Sequence, residues 1–396
     1  MSKKPIRILI ASFAYTPLVG GAEIAVREIT DRIDPSDIAF DMVTVRTAGL
    51  PRCERIGNIT VHRVGFLPHG EGALSRLIRG MAKLLFVKLA CWKMLRLHYK
   101  HRYDAVWSIM AAFAGFAALF FKLLHPSVPF ILTLQEGIPL EEIRRRVRFG
   151  RPLFRMLFRK ANVVQAISNY LARFAKEEGA VENPVVIGNG VAVEHFSAPI
   201  DPAQRAVIRG LWQAAVGDTI LFTASRLAYK NAIDICIQSL THSAPSVRLV
   251  IAGEGPLRAS LQELVDRLHL SSRVRFIGTV SHEELPLFLQ SADVFVRPSR
   301  SEGFGNSFVE AMAAGVPVIA TNAGGIPDFL TDEETGLVVP IDDEKALAQA
   351  VERLSADGEL RTRIVAQARQ MVAKRYDWGT IANRMKEEVF AKAIKH

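Results

Sequence analysis

The run Val294-Phe295-Val296 leads into Ser299-Arg300-Ser301-Glu302-Gly303-Phe304-Gly305-Asn306-Ser307-Phe308-Val309-Glu310. The apolar run reads as a buried strand. The pattern from Ser307 to Ala314 reads as a helix, so the stretch is a strand, a glycine-rich loop and a helix start. Gly303 and Gly305 allow the backbone to approach a ligand closely or to reach positive φ. Asn306 or Ser307 is placed to cap the helix. Free N–H groups and the positive end of the helix dipole then make an anion site.

Two carboxylates flank that site: Glu302 in the loop, and Glu310 about one turn into the helix. Carboxylates beside a phosphate site repel it unless they accept hydrogen bonds from neutral hydroxyls. A diphosphate set between two polyols, as in a nucleotide sugar, offers both kinds of group. The plainer reading is a helix start with acidic residues in its first turns.

Working outward, the same alternation fills the second half of the chain. Strands are expected near 219–224, 248–252, 274–278, 293–297, 316–320 and 337–340, with helices between them. The first half repeats the scheme. Its strands are expected over Ile6–Ala11, near 39–46 and 57–64, and over Ala105–Ile109, Pro129–Leu134 and Val163–Ile167. Helical patterns cover Ala73–Tyr99, Phe113–Leu124 and roughly 140–160, and Ser168 or Asn169 caps a further helix. Strands alternating with helices imply parallel sheets with right-handed crossovers. The fold class is α/β, with two Rossmann-like domains. The linker, Asn183 to about Gln204, holds Gly188, Gly190, Pro199 and Pro202, and it divides the chain into domains at 1–196 and 197–377.

Two further post-strand loops carry candidate ligand groups. Arg226 and Lys230 lie four apart after the strand at 219–224, so both can reach one mouth and hold a diphosphate. A solvated basic turn is the plainer alternative. After the first strand, Thr16-Pro17-Leu18-Val19-Gly20-Gly21-Ala22-Glu23 places a glycine pair at a strand-to-helix turn, where a phosphate can approach.

The 396 residues suffice for two ordinary domains, and 49% hydrophobic with 23% charged residues exclude a disordered chain. Cys53, Cys91 and Cys236 are scattered and odd in number, which points to a reducing compartment without disulfides. No apolar core of a signal peptide and no uncharged run of about 18 residues occurs, so a cytoplasmic protein is expected. No Asp-x-Asp is present, and His98 and His101 lack an evident third ligand, so no metal site is expected.

The charge is lopsided. Residues 1–196 carry 28 Lys and Arg against 16 Asp and Glu, whereas the remaining half carries 22 against 24. Between Glu71 and Asp104 lie eight basic residues and no acid, and between Glu142 and Glu177 lie ten and no acid. Leu84, Phe86, Trp92 and Met94 are interleaved in the first segment, and Phe149, Phe154, Leu157 and Phe158 in the second. Basic heads with apolar bodies suit an anionic membrane surface, so a peripheral position on the cytoplasmic face is expected. The interleaving argues against a polar nucleic-acid stripe.

The Glu302–Glu310 segment resembles the Glu-x7-Glu signature of the family-4 retaining glycosyltransferases of GT-B fold, the glycosyl transferases group 1. Ala311-Met312-Ala313-Ala314-Gly315-Val316-Pro317-Val318-Ile319-Ala320-Thr321 and Gly324-Gly325-Ile326-Pro327 are similar to that family as well. Arg226 and Lys230 resemble its Arg-x3-Lys motif, and Gly20-Gly21 its N-terminal glycine loop. The similarity is strong over 219–341 and looser over 1–200.

The resemblance implies two Rossmann-like domains facing a central cleft, with the acceptor on the first and the donor mainly on the second. It implies a hexosyl transfer from a UDP- or GDP-sugar to a glycan or lipid-linked acceptor in polysaccharide or glycolipid synthesis. It also implies retention of anomeric configuration, with no cofactor and no metal. The last helix, about 378–394, is expected to pack back on the first domain. By resemblance Glu302 takes donor-sugar hydroxyls and Glu310 the nucleotide ribose. Arg226 and Lys230 hold the leaving diphosphate, Gly278 lies near the base, and Gly21, Gly303, Phe304, Gly305 and Asn306 complete donor binding. The chain departs from the family at Gln135, where many members carry His. Gln135 can hydrogen-bond a hydroxyl but is no general base at neutral pH, and Glu136 beside it is either a further carboxylate or a structural one. A same-fold sugar-nucleotide epimerase and a non-catalytic nucleotide-sugar or anionic-surface binder are the alternatives.

Overall fold

The computed structural model describes residues 4–17, 20–67 and 73–395, with side chains omitted for 73–77. The chain divides into two compact units. One comprises residues up to Glu136, Leu140–Asn189 and Trp378–His396, and the other Gly137–Pro139 and Gly190–Asp377.

The N-terminal unit holds an eight-stranded sheet. Its strands are β1 (Ile6–Ala11), β2 (Ile38–Val45), β3 (Cys53–Ile56), β4 (Ile59–Val64), β5 (Ala105–Ile109), β6 (Phe130–Leu134), β7 (Val163–Ala166) and β8 (Val185–Val186), in the order β3-β4-β2-β1-β5-β6-β7-β8. All pairings are parallel except β3 with β4. Every residue of β5 and β6 is buried, as expected for strands covered on both faces. The strand expected near 57–64 is β4, and β3, which was not expected, precedes it in a hairpin turning at Gly57-Asn58. Cys53-Glu54-Arg55-Ile56 alternates between exposed and half-buried, so this polar edge strand carries little hydrophobic signal.

The helical segment expected at 140–160 is broken into Leu140–Arg146, a short 3-10 turn at Arg148–Gly150, and Arg151–Lys160. Gly150 and Pro152 explain the break, because proline fits only the first turn of a new helix. The long helix Ala73–His101 is continuous. Residues 378–396 belong to this unit, where Phe390 packs its ring against Phe40 and Trp107.

The C-terminal unit is a six-stranded, all-parallel sheet of β9 (Thr219–Ala224), β10 (Val247–Ala252), β11 (Val274–Gly278), β12 (Val294–Arg297), β13 (Val318–Ala320) and β14 (Leu337–Val338), ordered β11-β10-β9-β12-β13-β14. Its boundary falls at Gly190, ahead of the expected 197. The reason is local: Val191 pairs with the segment at Tyr376 and Asp377, and Phe196 is fully buried near His282. No described helix is long and apolar enough to cross a membrane.

Candidate active site

Strand order locates the site. The strand order, not the strand direction, reverses between β9 and β12, with β10 and β11 added to one side and β13 and β14 to the other. In doubly wound sheets ligands bind at such a switch point, beyond the carboxyl ends of the strands. The loops leaving β9 and β12 meet there. The amides of Arg300 and Ser301 donate to Lys230 O, at 2.8 and 3.4 Å. The Arg300 guanidinium reaches both oxygens of Asp234, at 3.0 and 2.6 Å, and Asp342 at 2.6 Å, and stacks on the Tyr229 ring. Burial opposes its charge, yet the two carboxylates hold its pKa above the usual arginine range.

Glu302 sits at the centre of this mouth, 8% exposed. Its Oε2 accepts from Arg297 Nη2 at 2.8 Å, while Oε1 faces Lys230 Nζ at 3.5 Å and accepts from the Gly303 amide at 3.2 Å. Arg297 ends β12 and is itself 6% exposed. Its Nη1 donates to Ser307 Oγ at 2.7 Å, and its plane lies over the Phe308 ring. Burial lowers the Arg297 pKa, and Glu302 and Glu310 counter that shift. Removing one partner of such a buried pair costs more than a surface pair would.

Gly305, at φ +99°, is the helix N-cap, and no side chain caps this helix. The expected capping by Asn306 or Ser307 is therefore corrected: both lie inside the helix, and Ser307 Oγ is taken by Arg297. At Gly324 a Cβ would collide with Glu302 O, so only glycine lets the β13 loop close on the Glu302 backbone, where the Gly325 amide donates at 3.0 Å. Phe304 is buried against Phe329 and Tyr376, so its ring serves the core and only its backbone faces the loop. Glu310, 7% exposed, lies 3.1 Å from His282 Nε2. Gly278, at φ +72°, ends β11, and its carbonyl accepts from Gly253 N. Arg226 is exposed, and among the described residues its guanidinium makes no ion pair; its carbonyl accepts from Asn231 Nδ2 at 2.6 Å.

The C-terminal unit thus brings Lys230, Glu302 and the Gly303–Asn306 loop together, with Arg226, Gly278 and Glu310 on adjoining segments. Gly21 and Gln135 belong to the N-terminal unit. Gly21 opens the helix Gly21–Asp31 behind Gly20, whose amide donates to Glu23 Oε2 at 2.8 Å. Leu18 and Val19 of that loop lie outside the described residues. Gln135 follows β6 and forms a reciprocal amide pair with Asn189, at 2.9 and 3.0 Å. The pair holds the amide in one orientation and leaves it one N–H and one lone pair for a ligand. Glu136 Oε1 accepts from the Ala111 amide at 2.7 Å, and burial pushes its carboxyl pKa up.

Arg297, His282 and Asn189 were not visible as site residues in the sequence. Arg297 left one signal, a charged residue ending an otherwise apolar buried strand. The other two depend on contacts 28 and 54 residues away. Among the described residues no three His, Cys, Asp or Glu side chains converge as a metal site.

Residues 205–371 match the glycosyl transferases group 1 family, and residues 20–190 match the glycosyl transferase 4-like domain. A GDP-mannose-dependent alpha-(1-6)-phosphatidylinositol monomannoside mannosyltransferase of Mycobacterium tuberculosis is 33% identical over 251 residues, 60% of this chain and 63% of that protein. The match therefore spans less than two thirds of that relative. An uncharacterized glycosyltransferase of Methanocaldococcus jannaschii is 27% identical over 95% of this chain and 96% of its own. In fold, the chain is similar to Anabaena HepE, solved with UDP and glucose (TM-score 0.78, 20% identity, 98% and 100% coverage). It is equally similar to sucrose-phosphate synthase of Thermosynechococcus elongatus (TM-score 0.79, 23% identity, 98% and 100% coverage).

Proposed function

Since the chain belongs to the family-4 glycosyltransferases of GT-B fold, we propose that it transfers a hexosyl group from a UDP- or GDP-sugar to a glycan or lipid-linked acceptor. The transfer retains anomeric configuration and needs no metal. One observation carries the reading: Lys230 and Glu302 meet at the sheet's switch point, beside the N-terminus of the helix Asn306–Ala314.

That arrangement suits a sugar diphosphate. Lys230 and Arg226 supply positive charge to the departing diphosphate, and the helix N-terminus adds its dipole. Glu302 and Glu310 accept from hydroxyls on the sugar and the ribose. In the step, the bond from the anomeric carbon to the phosphate oxygen breaks and a bond to the acceptor oxygen forms. The acceptor proton leaves with the diphosphate. No protein nucleophile is required, so catalysis rests on positioning and charge stabilisation. The Mycobacterium relative is named for GDP-mannose and a phosphatidylinositol mannoside, which favours a GDP-sugar and a lipid-linked acceptor here.

A lipid acceptor fits the exposed side of the helix Ala73–His101 in the N-terminal unit. Met81, Leu84, Leu85, Trp92 and Tyr99 are exposed on it, with Lys88 and Arg96 among them. The opposite side, with Phe86, Ala90, Met94 and Leu97, is buried. The helix thus presents apolar side chains to solvent beside basic ones, which suits the cytoplasmic face of an anionic membrane. The second basic segment contributes less than its sequence promises. Arg144, Arg146, Arg151 and Arg155 pair with Glu142, Glu177 and Glu178.

Thermal unfolding with UDP and GDP, followed by nucleotide release from matching sugars with and without acceptor, tests the reading. One nucleotide should stabilise the chain by mass action, and release should rise with acceptor. Stabilisation without release would leave a binder. Interconversion of the sugar on its nucleotide would make it an epimerase.

A further inference from the structure

A cavity of about 850 Å³ lies in the N-terminal unit at the far end of the helix Ala73–His101. It lies where the helix ends and the chain, through His101 and Arg102, enters the amino end of β5. Ligand sites of a doubly wound sheet lie at the opposite, carboxyl ends. The transferase reading therefore makes no use of it.

Its wall is cationic. Lys93, Arg96, Lys100 and Arg102 line it, with no Asp or Glu among the lining residues. Among the described residues, none of these four takes part in an ion pair. A helix C-terminus attracts cations, but its dipole is worth only about half a charge. Four cations exceed what it requires. The buried acid Asp41, beside His62, is already engaged by Arg7 and His62, at 3.2 and 3.1 Å.

Four histidines meet here. His98 lies between Tyr103 and His125, with its Nδ1 accepting from the Tyr103 amide, and His62 and His101 line the same cavity. Burial lowers the His98 pKa, and His125 and Arg102 lower it further against the weaker pull of Asp104. Burial also lowers that of His101, helped by Arg7 and Lys100 and opposed by Asp41. The four cations face these rings with no acid among the lining residues. The remaining wall is apolar and aromatic. Trp92 is 55% exposed with Arg96 stacked on it, and Tyr99 is 83% exposed.

We propose that this cavity is a second ligand site, for a phosphate ester: cations and histidine N–H groups take the phosphate, and Trp92 and Tyr99 flank its organic body. Guanidinium and ammonium groups are the side chains that recognise phosphate, and the volume exceeds what a bare phosphate fills. Two sources share this chemistry, an anionic phospholipid headgroup and a soluble phosphate ester. The inference does not rest on the transferase reading.

The test uses the full chain and glycerol phosphate, with sodium chloride at matched ionic strength as control. Proton NMR follows the ring signals of His98, His101 and His125, assigned by single substitution. His282, beside Glu310, reports separately on phosphate entering the other site. The His98 and His101 signals should move saturably with glycerol phosphate, and their titration midpoints should rise. Arg96→Gln with Lys100→Gln should weaken binding about tenfold or more, since each removes a charge-assisted hydrogen bond. Arg96→Lys with Lys100→Arg should retain it, which separates lost charge from a damaged fold. Vesicles of phosphatidylglycerol in phosphatidylcholine distinguish the sources. Loss of sedimentation in the Gln variant assigns the headgroup, and unchanged sedimentation with lost glycerol phosphate binding assigns a soluble ester. Unmoved histidine signals, equal movement with chloride, or equal affinity in the Gln variant would overturn the proposal.

Discussion

Arg297 Nη2 donates to Glu302 Oε2 across 2.8 Å, and both side chains are almost wholly withdrawn from solvent. The same guanidinium donates to Ser307, so one side chain ties the loop to the helix that follows it. Arg297 is therefore a positioning residue: it fixes where Glu302 points. Arg297→Leu should lose about 3 kcal/mol or more of stability, because it strands a buried carboxylate. Turnover should fall with it. Denaturant unfolding beside a donor-hydrolysis assay measures both, and a variant as stable and active as wild type would remove Arg297 from the site.

Lys230 lies 3.5 Å from Glu302, and Arg226 stands in solvent at the start of the same loop. Each should supply charge to the leaving diphosphate. Lys230→Ala and Arg226→Ala should each lower turnover ~10²-fold, the scale of one preorganised electrostatic group. Steady-state release of nucleotide reads this directly. Near-normal rates in both variants would assign the charge elsewhere.

The two carboxylates should separate by function. Glu310→Ala should chiefly weaken binding of free nucleotide diphosphate, and Glu302→Ala should chiefly lower turnover with the sugar donor. His282→Ala should move in the Glu310 direction but less, since it removes only the partner at 3.1 Å. Calorimetry with the nucleotide alone isolates binding, and equal affinity in wild type and Glu310→Ala would contradict the ribose role.

Chelation should leave activity intact if, as proposed, Arg226, Lys230 and a helix N-terminus supply the charge that a cation supplies in metal-using transferases. Complete loss in EDTA, restored by Mg²⁺ or Mn²⁺, would reverse that expectation.

Anionic vesicles should sediment the protein, and salt should release it, since each engaged Lys or Arg adds about 1 kcal/mol. Met81→Ser with Leu85→Ser should weaken this binding, as should Arg148→Gln with Phe149→Ala. Phe149 is 88% exposed, with Arg148 stacked on it. Equal recovery in the supernatant with anionic and neutral vesicles would favour a soluble acceptor.

The sequence by itself determined the alternation of elements, because the signals involved are local. The limits of Ala105–Ile109 and Phe113–Leu124 follow from apolar runs and need no distant partner. The motif positions of Lys230 and Glu302 were legible too, since their loops follow β9 and β12, and Glu310 lies in the helix that follows β12. Three things needed the tertiary structure. Arg297 became a site residue only when β12 placed it beneath the Glu302 loop. Lys230 and Glu302, 72 residues apart, met only because β9 and β12 are neighbours in the sheet. The basic stretch from Arg144 to Lys176 has no internal acid, yet Glu142, Glu177 and Glu178 at its two ends fold back and pair with its arginines. Periodicity travels along the chain, whereas charge pairing and burial depend on which segments the sheet brings side by side.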